Sequence, residues 1–219
     1  RLALGDKDGA EQYFNQYITE VDNLAVKLKA EGKQIDNVLP IIRDFRARPL
    51  LTYITNFYGK VPAVDFDLQD MWATQKTVSL KESRGKVLAV LFRRPGDRRA
   101  QGFLQGLDRV VKEREKEGLV GLEVAFIAGK RTPEEDAVRI QNMVDDSKRL
   151  GVSLPAGFDP DSEKQSILRG TFATVGTASF ALFNRKGEHV WFLADPKEID
   201  WNLAARVIDR VLEEGGEAG

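Results

Sequence analysis

The 219 residues carry a net charge of −1, with 33 Lys and Arg against 34 Asp and Glu, so no global basic field supports generic nucleic-acid binding. Hydrophobic residues at 42% and charged residues at 31% describe a globular chain rather than a disordered one. Cysteine is absent, which excludes disulfides, thiolate chemistry and zinc–thiolate sites; the single histidine, His189, excludes a His-rich metal site, and no cofactor is expected.

No apolar run is long enough to span a bilayer, and the longest, Val87 to Phe92, suits one buried strand. The chain begins at Arg1 rather than Met, the form of a processed or truncated product, so membrane attachment is expected only through a lost N-terminal anchor.

The first part of the chain, residues 1–60, reads as a helical extension. Tyr13, Phe14, Tyr17, Ile18, Val21, Leu24, Ala25 and Leu28 recur at three- and four-residue steps, the period of a helix with one apolar face. Gly32 is its expected stop. A second helix is expected over Ile35 to Arg46 and a third over Leu50 to Tyr58, with Pro49 between them and Gly59 closing the last. From Val61 the pattern changes. Val64, Phe66 and Leu68 alternate with polar residues, the spacing of a strand, and Thr77 to Leu80 reads as a second short strand.

Ser83 to Lys86 is an expected turn before Val87 to Phe92, a continuous apolar strand of the kind covered on both faces in an α/β sheet. Pro95-Gly96-Asp97 ends it. Asp97 is expected to cap the next helix, whose inner face holds Phe103, Leu104, Leu107, Val110 and Val111. Gly102 and Gly106 on that helix suggest close packing. Leu122 to Ile127 is the following strand. Thr132-Pro133-Glu134-Glu135 predicts a capping box opening a helix to Leu150. Ser179 to Phe183 and His189 to Leu193, joined by Asn184 to Gly187, read as a hairpin with His189 facing outward by alternation. Asp200 to Glu213 is a closing amphipathic helix. The fold class is α/β, with residues 61–219 as one domain.

Four segments, in this order and spacing, resemble the thioredoxin fold, and within it the branch of AhpC/TSA peroxiredoxins and TlpA-like and ResA-like envelope thioredoxins. They are Val61-Pro62-Ala63-Val64-Asp65-Phe66 with Thr77-Val78-Ser79-Leu80; Ser83-Arg84-Gly85-Lys86 running into the Val87–Phe92 strand; Gly151-Val152-Ser153-Leu154-Pro155 with Phe158-Asp159-Pro160-Asp161; and Val175 through Gly187. The resemblance implies a central mixed sheet flanked by helices, preceded here by the helical extension. Aligned from Phe92, it places the family's two cysteines at Asp97 and Ala100 and its cis-proline at Ala178. A cis bond before a non-proline costs roughly 3 kcal/mol, so Thr177–Ala178 is expected to be trans. Both halves of the redox site are replaced together.

The candidate binding residues are Arg93, Arg94, Asp97, Arg98 and Arg99, which flank the turn, and Trp72 in an expected hairpin loop. Arginines beside a helix N-terminus suit carboxylate or phosphate oxygens, and no catalytic residue is assigned. The expected role is a redox-inactive binding or structural module with a protein partner, and with a small anion at the arginine turn. The second reading is a non-thiol enzyme acting on an anionic substrate. Thiol–disulfide or antioxidant activity ranks last. The family's usual setting implies a periplasmic or membrane-associated location, in the cell envelope.

Overall fold

A computed structural model describes residues 6–32, 48–62, 68–70, 79–125, 132–158, 178–194 and 200–214. The chain divides into two compact units, 1–58 and 59–219. In the first, helix α1 (Lys7–Ala30) opens on Asp6, whose side chain accepts a hydrogen bond from the Gly9 N–H at 2.9 Å. Helix α2 (Arg48–Asn56) carries Pro49 in its first turn, where a missing N–H costs nothing, so this proline starts a helix as well as ending the preceding pattern. Tyr53 of α2 is buried against Phe57 and Tyr58, and that burial pushes its phenol pKa up. The helix expected over Ile35 to Arg46 lies outside the described residues.

The second unit is built on a six-stranded mixed sheet in the order β1-β4-β3-β2-β5-β6. The strands are β1 (Gln69–Asp70), β2 (Val87–Arg93), β3 (Leu119–Ala125), β4 (Ala156–Phe158), β5 (Ser179–Phe183) and β6 (His189–Ala194). β2, β3 and β4 run parallel; β5 is antiparallel to β2, β6 to β5, and β1 to β4. Every residue of β2 is buried, as its unbroken apolar run requires of a central strand.

Helices α3 (Gln101–Arg114), α4 (Pro133–Leu150) and α5 (Trp201–Glu214) lie on one face of that sheet. Two successive right-handed crossovers in the same direction, β2-α3-β3 and β3-α4-β4, put α3 and α4 on the same side. Leu91 pairs with Phe180, whose ring meets Phe103 of α3 at 5.3 Å, and Phe103 meets Trp201 of α5 at 4.8 Å. Ala125, Ala156 and Phe158 pack on Met143 and Val144 of α4. The opposite face, with Leu88, Val90, Phe92, Phe183 and Phe192, is buried as well.

Several expectations hold in detail. Thr132 and Glu135 form both halves of the capping box, at 3.3 and 3.1 Å. Gly106 meets its neighbour closely, since a Cβ there would come within 2.2 Å of the Trp201 ring; Gly102 has open space around it, so the close packing is confined to one of the two glycines. Three expectations are corrected. β3 begins at Leu119 rather than Leu122, because the parallel ladder to β2 already starts at Val87. α3 begins at Gln101, after a 3₁₀ turn over Arg98–Ala100, so its N-cap is Ala100 and not Asp97. Finally, His189 is buried rather than outward-facing. A bulge in the β5–β6 ladder pairs Leu182 with Trp191 but Phe183 with His189, leaving Val190 as the extra residue. That shift breaks the alternation and puts the imidazole on Phe183, ring centroids 4.2 Å apart.

Candidate functional site

The turn that follows β2 sits at the C-terminal ends of the parallel strands, where open α/β sheets carry their sites. Arg94-Pro95-Gly96-Asp97 closes as a β-turn, the Asp97 N–H donating to the Arg94 carbonyl at 3.1 Å. Proline second and a glycine third with φ +77° are the chemistry of a type II turn. The Ala100 N–H then donates to the Asp97 carbonyl at 3.2 Å, forming the 3₁₀ turn that leads into α3. Arg94 and Arg98 are exposed, Asp97 is half-buried and Ala100 is buried. Ala100, at the N-cap of α3, has no side chain that could cap it, and no acid lies in the helix's first turn. The side chains of Arg99 and Trp72 lie outside the described residues, as does Thr177.

The arginines do not act as one cluster. Arg93, the last residue of β2, is turned inward and has 0% of its surface exposed. Its Nε donates to Glu123 Oε1 of β3 at 2.7 Å. This corrects the expectation that Arg93 belongs to an exposed arginine surface. The cause is register: Arg93 follows Val87, Ala89 and Leu91 on the face that carries α3, α4 and α5, so no route to solvent remains.

Glu123 is the residue that sequence reasoning missed. It is 1% exposed. Its signal was present, a single acid inside the apolar run Leu119 to Phe126. Burial holds its carboxyl above the ordinary carboxylate value, against the opposing pull of Arg93 and of the Ser147 hydroxyl on α4. The pair is only partly satisfied. Arg93 Nη1 and Nη2 and Glu123 Oε2 are buried without hydrogen-bond partners among the described residues.

Ala178 is buried just before β5. The ladder pairs Phe92 with Ser179, so the next step of the register sets Ala178 opposite Arg93. The structure therefore brings the turn, the buried ion pair and Ala178 to one end of the sheet. His189 lies at the other end. Burial depresses its pKa to about 3, so its ring is neutral in the fold.

No family model matches the chain, and no curated protein matches it. Solved structures do. The thioredoxin domain of a thiol-disulfide oxidoreductase from Bacteroides vulgatus superposes with TM-score 0.56 at 14% identity, covering 71% of this chain and 97% of that one. This chain has the thioredoxin fold. A thiol:disulfide interchange protein of the thioredoxin family from Chlorobium tepidum matches with TM-score 0.53 at 15% identity, over 69% of this chain and 96% of that one. A secreted disulfide oxidoreductase from Mycobacterium tuberculosis matches with TM-score 0.50 at 11% identity, over 66% and 95%. The fold is shared, and the cysteines that a thiol–disulfide oxidoreductase needs are absent from all 219 residues of this thioredoxin-fold chain.

Proposed function

We propose that this thioredoxin-fold chain is a redox-inactive binding module, a subunit, adaptor or chaperone-like part of a larger assembly, whose partner docks on the former active-site turn through carboxylates. The observation that carries this reading is the turn itself. The resemblance puts the family's cysteine positions at Asp97 and the buried Ala100, and Arg94 and Arg98 are exposed on the same turn. Exposed guanidinium groups suit carboxylate oxygens bidentately, which is what an acidic partner would supply. Thiol exchange has no atom to work with in this chain.

A cell-envelope setting is part of the proposal. It is supported by likeness to a protein described as secreted and to one described as a thiol:disulfide interchange protein.

The test is affinity capture with the wild-type chain beside an Arg94→Glu/Arg98→Glu variant, each checked for unchanged circular dichroism. A partner held by the wild type and released by the variant supports the turn as the docking surface. A partner held equally by both refutes it.

A further inference from the structure

The two terminal nitrogens of Arg93 bring four N–H donors, and Glu123 Oε2 brings one acceptor, all buried and all without partners among the described residues. A guanidinium stays charged in any protein environment. Buried donors left unpaired cost about 1–3 kcal/mol each, so a chain that keeps them invites an explanation. Arg185 provides a partial contrast, because both of its terminal nitrogens donate to backbone carbonyls, of Gly85 at 3.0 Å and Glu117 at 2.9 Å, and only its Nε is without a partner among the described residues.

The position of these atoms is defined from both sides. Arg93 shares a sheet face with Leu91, whose partner Phe180 lies under Phe103 in the first turn of α3. Ser147 of α4 stands beside Glu123, and the adjacent Asp146 accepts a long hydrogen bond, 3.5 Å, from Gln101, the first residue of α3. Arg93 and Glu123 therefore lie on the sheet face that α3 covers, at the end of the sheet from which α3 starts, and Ala100 at its N-cap has no side chain that could cap it.

We infer that Arg93, Glu123 and the first turn of α3 form a binding site for a small oxyanion that carries a hydroxyl proton, the chemistry of hydrogen phosphate. The oxygens accept from Arg93 Nη1 and Nη2 and from the helix, and the hydroxyl donates to Glu123 Oε2. An oxyanion without a proton presents only lone pairs to Oε2 and is disfavoured there. Burial keeps the Glu123 carboxyl more basic than an exposed one, which strengthens it as the acceptor. Arg93 has no exposed surface, so association needs a local opening and is slower than diffusion. This site goes beyond the proposed docking surface, which uses the outward arginines, and either can fail without the other.

The probe is inorganic phosphate, with sulfate at matched ionic strength as the isostere lacking a proton. Binding is read as a saturable rise in unfolding temperature and as broadening of the phosphorus-31 resonance. Phosphate is expected to bind wild type roughly tenfold more tightly than sulfate, because a site built around a hydrogen bond rejects a ligand that cannot make it. Glu123→Gln, whose side-chain amide also donates, should erase that preference. Arg93→Met should remove the saturable response, and Arg94→Glu/Arg98→Glu should keep it. Equal and non-saturating responses to both anions mean an ionic effect only and overturn the inference. A phosphate response lost in Arg94→Glu/Arg98→Glu moves the site to the exposed turn and also overturns it. If Arg93→Met does not fold, the phosphate-to-sulfate ratio in wild type and in Glu123→Gln decides the question.

Discussion

The two ends of the central sheet each hold an arginine, and the two are used in opposite ways. At the end where β2 and β3 begin, Arg185 reaches from the β5–β6 turn to two backbone carbonyls and ties that hairpin to the strands beside it. The same end holds the neutral, buried His189, whose backbone N–H donates to Lys60 at 3.0 Å and whose carbonyl accepts from Gly59 at 2.7 Å. At the other end Arg93 makes a single bond to Glu123 and leaves two nitrogens unmatched. Among the described residues, Arg185 at the first end leaves only its Nε without a partner, whereas Arg93 at the second leaves both terminal nitrogens so, beside Glu123 Oε2. In this chain that end holds a buried Arg93–Glu123 pair and no cysteine.

The largest expected effect lies at the first end and depends on pH. The His189 ring stays neutral in the fold down to a pKa of about 3, while the unfolded ring charges near 6.5. The unfolded state therefore binds more protons between those values. The stability that this imposes is complete above pH 6.5 and is lost as pH falls, by up to about 5 kcal/mol near pH 3. Urea denaturation from pH 7 to pH 4 should show a steeper acid loss for wild type than for His189→Phe. Identical slopes would refute it.

Next comes the second end. Glu123→Ala strands a buried guanidinium and is expected to destabilise by roughly 3–5 kcal/mol, whereas Arg93→Met/Glu123→Leu together should restore most of that loss. Comparable losses in the single and double variants would mean that packing, not the unpaired charge, sets the cost. Arg185→Ala at the first end is expected to cost about 2 kcal/mol in chemical denaturation and to leave phosphate binding untouched. The smallest effect is that of Arg94→Glu/Arg98→Glu, within about 0.5 kcal/mol of wild type, since both residues are exposed. A larger loss would show that the outward arginines stabilise the fold instead of serving a partner.

Much of the architecture was legible in the residues. The unbroken Val87–Phe92 run became the central strand, and Thr132-Pro133-Glu134-Glu135 became a capping box, because caps and apolar periodicity act within a few residues. Asp97 as a helix cap was not right, since a 3₁₀ turn postponed the start of α3 by three residues, a choice that local propensity does not distinguish. His189 was misplaced by a single bulged residue, which reverses every side chain beyond it. Glu123 went unnoticed because its partner lies 30 positions away in sequence.

The sequence alone determined what this chain cannot do, since no arrangement of 219 residues without cysteine can form a thiolate, and local pattern carried most of the order of strands and helices but not the short strand β4. Only the tertiary structure decided which arginines of the turn face inward and which face out, and that a lone acid on β3 would meet Arg93. Those outcomes follow from the register between strands, and register is set by the packing of distant segments against one another.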